Sequence, residues 1–193
     1  MMVQNLSSWL RAQMRKISRD ERAAAAVEFA FVAPILFLTL GCVVDFGLAL
    51  RAKFKLSSAL SAASAYALDN ASSVSSTGGA GLASTLATLI ASSHAANWAD
   101  ASVVVNNGPS ARVSSGVATA SGVAGAADSC YCPTGSKSAL NWGAAVSCGV
   151  ACASGAPSGK FIQLTATKAY TPFILPSGLI GSPITGVSVV QVQ

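Results

Sequence analysis

Histidine occurs once, at His94, and acidic side chains only seven times in 193 residues. These two shortages exclude most hydrolytic chemistry. A Ser-His-Asp relay needs a histidine oriented by an acid, and general acid-base work needs carboxyl groups that the fold can bring together. Past residue 50 only Asp69, Asp100 and Asp128 remain, far apart in sequence. His94 has no Cys, Asp or Glu at ligand spacing and reads as a helix-end residue, not as a metal ligand or base. A Walker-type loop is also missing, since Gly78-Gly79-Ala80-Gly81 lacks both the lysine and a preceding strand. The C-x-x-C spacing of a redox pair does not occur. The sequence therefore predicts no enzyme, no catalytic or metal site and no cofactor.

Charge of either sign is sparse, at 10% of residues, and its placement decides what the net +5 means. Before residue 23 stand Arg11, Arg15, Lys16, Arg19 and Arg22 against Asp20 and Glu21. Residues 56–193 hold Arg112, Lys137, Lys160 and Lys168 against three acids. The excess is concentrated at the N-terminal end, which excludes a nucleic-acid surface and suits a topological signal. Five cations precede the apolar run and three, Arg51, Lys53 and Lys55, follow it, so the expected N-terminus is cytoplasmic and the rest exported.

What the chain does have is a long apolar run. From Phe29 to Val44 no residue is charged, and after Asp45 apolar residues continue to Leu50. With Glu28 and Asp45 near its ends, this run is long enough for a transmembrane helix. It exceeds the 7 to 15 residues of a secretory h-region, and its four alanines, Ala23 to Ala26, precede it instead of following it. Glu28 is the costly residue, because an acid in a lipid-facing helix needs a partner.

These residues resemble a family. Arg22-Ala23-Ala24-Ala25-Ala26-Val27-Glu28-Phe29, then Ala33-Pro34, then an Ile/Leu/Phe run ending in Asp45-Phe46-Gly47, is similar to the TadE-like proteins of tight-adherence (Flp) pilus assembly. The resemblance implies a pilin-like protein whose cytoplasmic leader is removed by a prepilin peptidase, with a glutamate at the fifth mature position. Counting back from Glu28 puts the cut between Ala23 and Ala24, with Ala23 where the family usually carries glycine and Phe29 where Flp pilins usually carry tyrosine. Cleavage would place a new α-ammonium one helical turn from Glu28. The same ammonium on a neighbouring subunit would neutralise that carboxylate in lipid, so Glu28 and Phe29 are the expected docking residues. The implied partners are the peptidase, other pilins and pseudopilins, the inner-membrane assembly platform and membrane lipid.

Leu40-Gly41-Cys42 also resembles the end of a lipoprotein box, with Thr39 where leucine is expected. That reading leaves Glu28 and the apolar residues beyond Cys42 unexplained. Cys42 is expected instead to be a small apolar residue packed in the helix.

The expected organisation is a leader over 1–23, a transmembrane helix over 24–50, a helical stem over 51–76 and a head over 77–193. In the leader, Leu6, Trp9, Leu10 and Met14 share one helical face. In the stem, Leu56, Leu60, Ala63 and Ala67 do the same, and Asp69-Asn70 with the Ser-rich and Gly-rich residues after it ends the helix. A second helix is expected from Leu82 to Trp98 on the face of Leu82, Leu86, Leu89 and Ile90. Beyond Ala101 the pattern turns to period two. Strands are expected at 102–105, 161–170 and 184–193, broken by Asn106-Asn107-Gly108-Pro109, Thr171-Pro172 and Pro176-Ser177-Gly178. Residues 110–128 are either one weak strand near 113–120 or a loop. The fold class is α+β, with a small antiparallel sheet packed on the stem.

Four cysteines, Cys130, Cys132, Cys148 and Cys152, fall on the exported, oxidising side, where disulfides are the default over a zinc site. Alternate residues of an extended chain point the same way, so Cys130 and Cys132 do not bridge each other. Both crosswise pairings remain open, each closing loops of roughly 15 to 25 residues. TadE-like proteins often carry C-x-C-P, C-x3-C, Tyr-Thr-Pro and a Val-rich C-terminal strand in that order, as this chain does at 130–133, 148–152, 170–172 and 187–193. Tyr131, Trp142 and Tyr170 are expected to pack in the core or on the disulfides ahead of meeting partner subunits.

The reading that follows is a minor pseudopilin or assembly factor of a tight-adherence pilus. It would be single-pass in the bacterial inner membrane, with a periplasmic head, acting by helix packing in surface adhesion. The alternative is an exported binding or adhesive domain on a plain anchor, with no pilus role.

Overall fold

The computed structural model describes residues 21–176 and 182–193, and of residues 21–23 the backbone alone. The leader face of Leu6, Trp9, Leu10 and Met14 lies outside the described residues, as do Ser177 and Gly178 of the expected strand break.

The apolar run and the stem form one helix, α1, Glu21–Asp69. It contains Pro34 and stops where Asn70 closes its last turn, the Asn70 backbone N–H and side-chain amide both donating to the Tyr66 carbonyl. Its apolar part is long enough and apolar enough to cross a membrane. The large side chains from Val27 to Phe46 point outward, a continuous apolar surface that a water-soluble protein would bury. The chain divides into two compact units, residues 21–46 with 172–176, and residues 47–171 with 182–193.

The second unit has two layers. Its sheet is antiparallel and five-stranded, in the order β3-β2-β1-β6-β7. The strands are β1 (Asp100–Val105), β2 (Ser110–Ser114), β3 (Val117–Ser121), β6 (Phe161–Lys168) and β7 (Ile184–Gln191). Between β3 and β6 lies a small separate hairpin, β4 (Thr134–Ser136) with β5 (Ala139–Asn141). Alternation decides the buried face, because a pleated strand sends every second side chain to the same side. Ala101, Val103 and Val105 are buried and pair in register with Ala166, Leu164 and Ile162.

On that face sit the stem and a second helix, α2, Gly79–Ala91. The stem contributes Leu56, Leu60, Ala63 and Ala67, and α2 contributes Leu82, Leu86 and Ile90, all in one core with the sheet. Each fully buried Leu or Ile stabilises the unit by about 1.5–3 kcal/mol relative to exposure. The stem meets β7 closely enough that a Cβ on Gly186 would lie 2.8 Å from Leu60 Cδ1. Ser64 and Ser188 hydroxyls hydrogen-bond across the same contact at 3.1 Å.

The structure differs from the sequence expectation in two stretches. The second helix ends at Ala91, because Ser92, Ser93 and the left-handed Asn97 turn the chain before Trp98. The region around Val113 to Ala120 is neither one weak strand nor a loop. Ser115 and Gly116 both have positive φ and make a two-residue hairpin turn between β2 and β3, the conformation that matches the twist of paired strands. A comparable turn at Asn106-Asn107 joins β1 to β2, closed by Gly108 N–H donating to the Val105 carbonyl at 2.9 Å.

Candidate functional site

The residues singled out for processing and docking all lie on the first turns of α1. Ala23 and Ala24 are in its helical backbone, and Ala24, Ala25, Ala26, Glu28, Phe29 and Ala30 are exposed. Four helical residues rise about 6 Å, so an amine created at Ala24 would stand one turn from Glu28 along the same helix. Small exposed residues around an acid allow two helices to approach closely in lipid, where packing and polar contacts replace the hydrophobic effect as the cause of association. The chemistry this surface offers is helix-to-helix contact with one ionic position.

Further along, the same helix carries a polar site that sequence reasoning missed. Asp45 is fully buried although its neighbours Val43, Val44 and Phe46 are exposed. Its carboxylate accepts the backbone N–H groups of Phe173, Ile174 and Leu175, each at 2.8 Å. Successive N–H groups aimed at one carboxylate form a small anion nest, and here the anion is the protein's own. Gly41, one turn earlier, lies under the same segment, and any Cβ there would run into the Ile174 side chain. The signal for this contact was present as an acid at the end of an apolar run and a Pro-bracketed apolar segment, Pro172 to Pro176. Nothing in either pattern says that the two meet.

The four head cysteines pair as Cys130–Cys148 and Cys132–Cys152, with Cα separations of 5.0 and 5.6 Å. This is one of the two crosswise arrangements left open by spacing. The bridges close loops with sequence separations of 18 and 20, worth about 3 kcal/mol each by loop-closure entropy. Around them, Tyr131 is buried, stacks edge-to-face on Trp142 at 6.0 Å and donates its hydroxyl to the Ala126 carbonyl. Tyr170 packs against the core. Cys42 is a half-buried free thiol in α1.

Asn106 holds the bridged segment to the sheet. It is fully buried, donates from its amide to the Ala127 and Ser129 carbonyls, and accepts from the Phe161 N–H. His94 meets Trp98 edge-to-face at 4.6 Å, with Nε2 3.4 Å from the Lys55 carbonyl. Among the described residues no group of three His, Cys, Asp or Glu side chains is placed to hold a metal ion.

No curated protein and no solved structure matches the chain. The model of the family described as TadE-like protein matches residues 23–64, from the start of the apolar helix through most of the stem, so over that stretch α1 is similar to the TadE-like family.

Proposed function

We propose that this protein is a minor pseudopilin or assembly factor of a tight-adherence (Flp) pilus, anchored in the bacterial inner membrane with its head in the periplasm. The observation that carries the reading is the TadE-like match over 23–64, which falls on the helix that exposes Glu28 among small residues and leads into a disulfide-bridged head. A prepilin peptidase cuts between Ala23 and Ala24, and the new amine of one subunit meets Glu28 of the next. Phe29 and the alanines Ala24, Ala25, Ala26 and Ala30 form the packing surface. The partners are the peptidase, other pilins and pseudopilins, the assembly platform and membrane lipid. The protein performs no catalysis, and its part in surface adhesion is exerted through assembly.

The test is piliation in cells whose only copy is Glu28→Ala or Glu28→Gln. Both substitutions are expected to lower fibre number by about tenfold or more, as removing one partner of a desolvated ion pair costs about 3–5 kcal/mol. Normal piliation in both variants, at wild-type protein level, would leave a plain membrane-anchored exported domain as the reading.

A further inference from the structure

The second unit carries an arrangement that pilus assembly by helix packing does not use. Just past Leu50, Arg51 and Lys55 stand one turn apart on the stem and line two adjoining clefts. One cleft, of about 580 Å³, has Leu50, Phe54 and His94 among its other walls. The second, of about 310 Å³, is open to solvent and is lined also by Leu48, Ala52, Trp98 and Lys168. Lys168 comes from the end of β6 and is held over the Trp98 ring, Nζ 5.6 Å from its centroid. Lys55 and Lys168 are half-buried, and no aspartate or glutamate lines either cleft. Lys53, by contrast, donates to the Thr185 carbonyl on β7.

Three cations brought to one place from two elements repel each other, and the partial burial of Lys55 and Lys168 removes water that would screen them, although Arg51 is exposed. An anion seated among them relieves both costs. The clefts also have apolar walls in Leu48, Leu50 and Phe54, and the smaller one has Trp98, the pairing found where a chain crosses from lipid into headgroups. The helix runs without a break from the apolar run into Arg51.

We propose that Arg51, Lys55 and Lys168, with Trp98, form a binding site for the phosphate of an anionic phospholipid headgroup, the acyl chain lying along Leu48, Leu50 and Phe54. The inference rests on α1 being a membrane anchor. It also gives a local reason for two of the three cations directly after the apolar run, Arg51 and Lys55, where orientation by charge would favour fewer.

The experiment places the full chain in nanodiscs of phosphatidylcholine containing rising fractions of phosphatidylglycerol. It follows the indole N–H resonance of Trp98, assigned with Trp98→Phe. A saturating shift with phosphatidylglycerol is expected, its midpoint moving about fivefold for each charge removed in Arg51→Gln and Lys168→Gln. Lys137→Gln, on the β4–β5 hairpin, is expected to leave the midpoint in place. No shift beyond that in pure phosphatidylcholine would overturn the site, as would equal midpoints in the native and Lys168→Gln proteins. Inorganic phosphate added to phosphatidylcholine nanodiscs is expected to leave the resonance unmoved; a saturating shift there would overturn the lipid assignment. A chain that does not enter nanodiscs at all refutes the anchor itself, whereas one that enters with Trp98 silent refutes the site alone.

Discussion

Asn106 and Asp128 show how single polar residues hold the bridged segment in place. Asn106 combines a positive φ with three side-chain hydrogen bonds to buried or half-buried backbone. Alanine there leaves carbonyls and an N–H without partners and strains the turn, so Asn106→Ala is expected to lower unfolding free energy by roughly 2–4 kcal/mol, measurable by denaturant titration. Asp128 accepts the Ser76 N–H at 2.8 Å. The Ser76 side chain and that N–H hold its carboxyl below the usual carboxylate range, with Lys160 adding to the effect against the opposing pull of desolvation. A depressed native value contributes stability that is complete above the unfolded value of about 3.9 and fades as pH falls through the native one. Stability curves of the native and Asp128→Asn proteins are therefore expected to differ at neutral pH and to converge as pH falls through the lowered native value. Parallel curves would show that the charge of Asp128 does not matter.

At the scale of elements, periodicity made most of the architecture legible in the sequence. The stem face of Leu56, Leu60, Ala63 and Ala67, the α2 face of Leu82, Leu86 and Ile90, and the alternation of Ile162, Leu164 and Ala166 are all buried as that spacing requires. The β2–β3 hairpin was not legible, since a run of Ser, Gly, Ala and Val has little amphipathic contrast and its turn depends on Ser115 taking a left-handed conformation. Contacts between distant segments were less visible still. The segment 172–176 read as a strand break, yet three of its N–H groups bind Asp45. Asp45→Ala removes the acceptor of all three N–H groups, so the amides of Phe173, Ile174 and Leu175 are expected to exchange with solvent deuterium at least about tenfold faster. Amides of β6 are expected to keep their protection. Unchanged exchange at 173–175 would mean that other contacts hold the segment.

For the whole molecule, the candidate site divided along the same line. A helix with an acid near its start and cysteines in two close pairs are local patterns, readable from spacing and chemistry. The disulfide partners were not readable, because the choice between two crosswise pairings is set by how 130–152 folds back along Gly159 and Val146. The docking role given to Glu28 requires a free amine at Ala24, and that requirement is the point on which the functional reading stands or falls. Intact mass of the protein extracted from cells that build these pili tests it most directly. The account predicts a chain lacking residues 1–23 that gains four hydrogens on reduction; a chain that keeps residues 1–23 in such cells would contradict it.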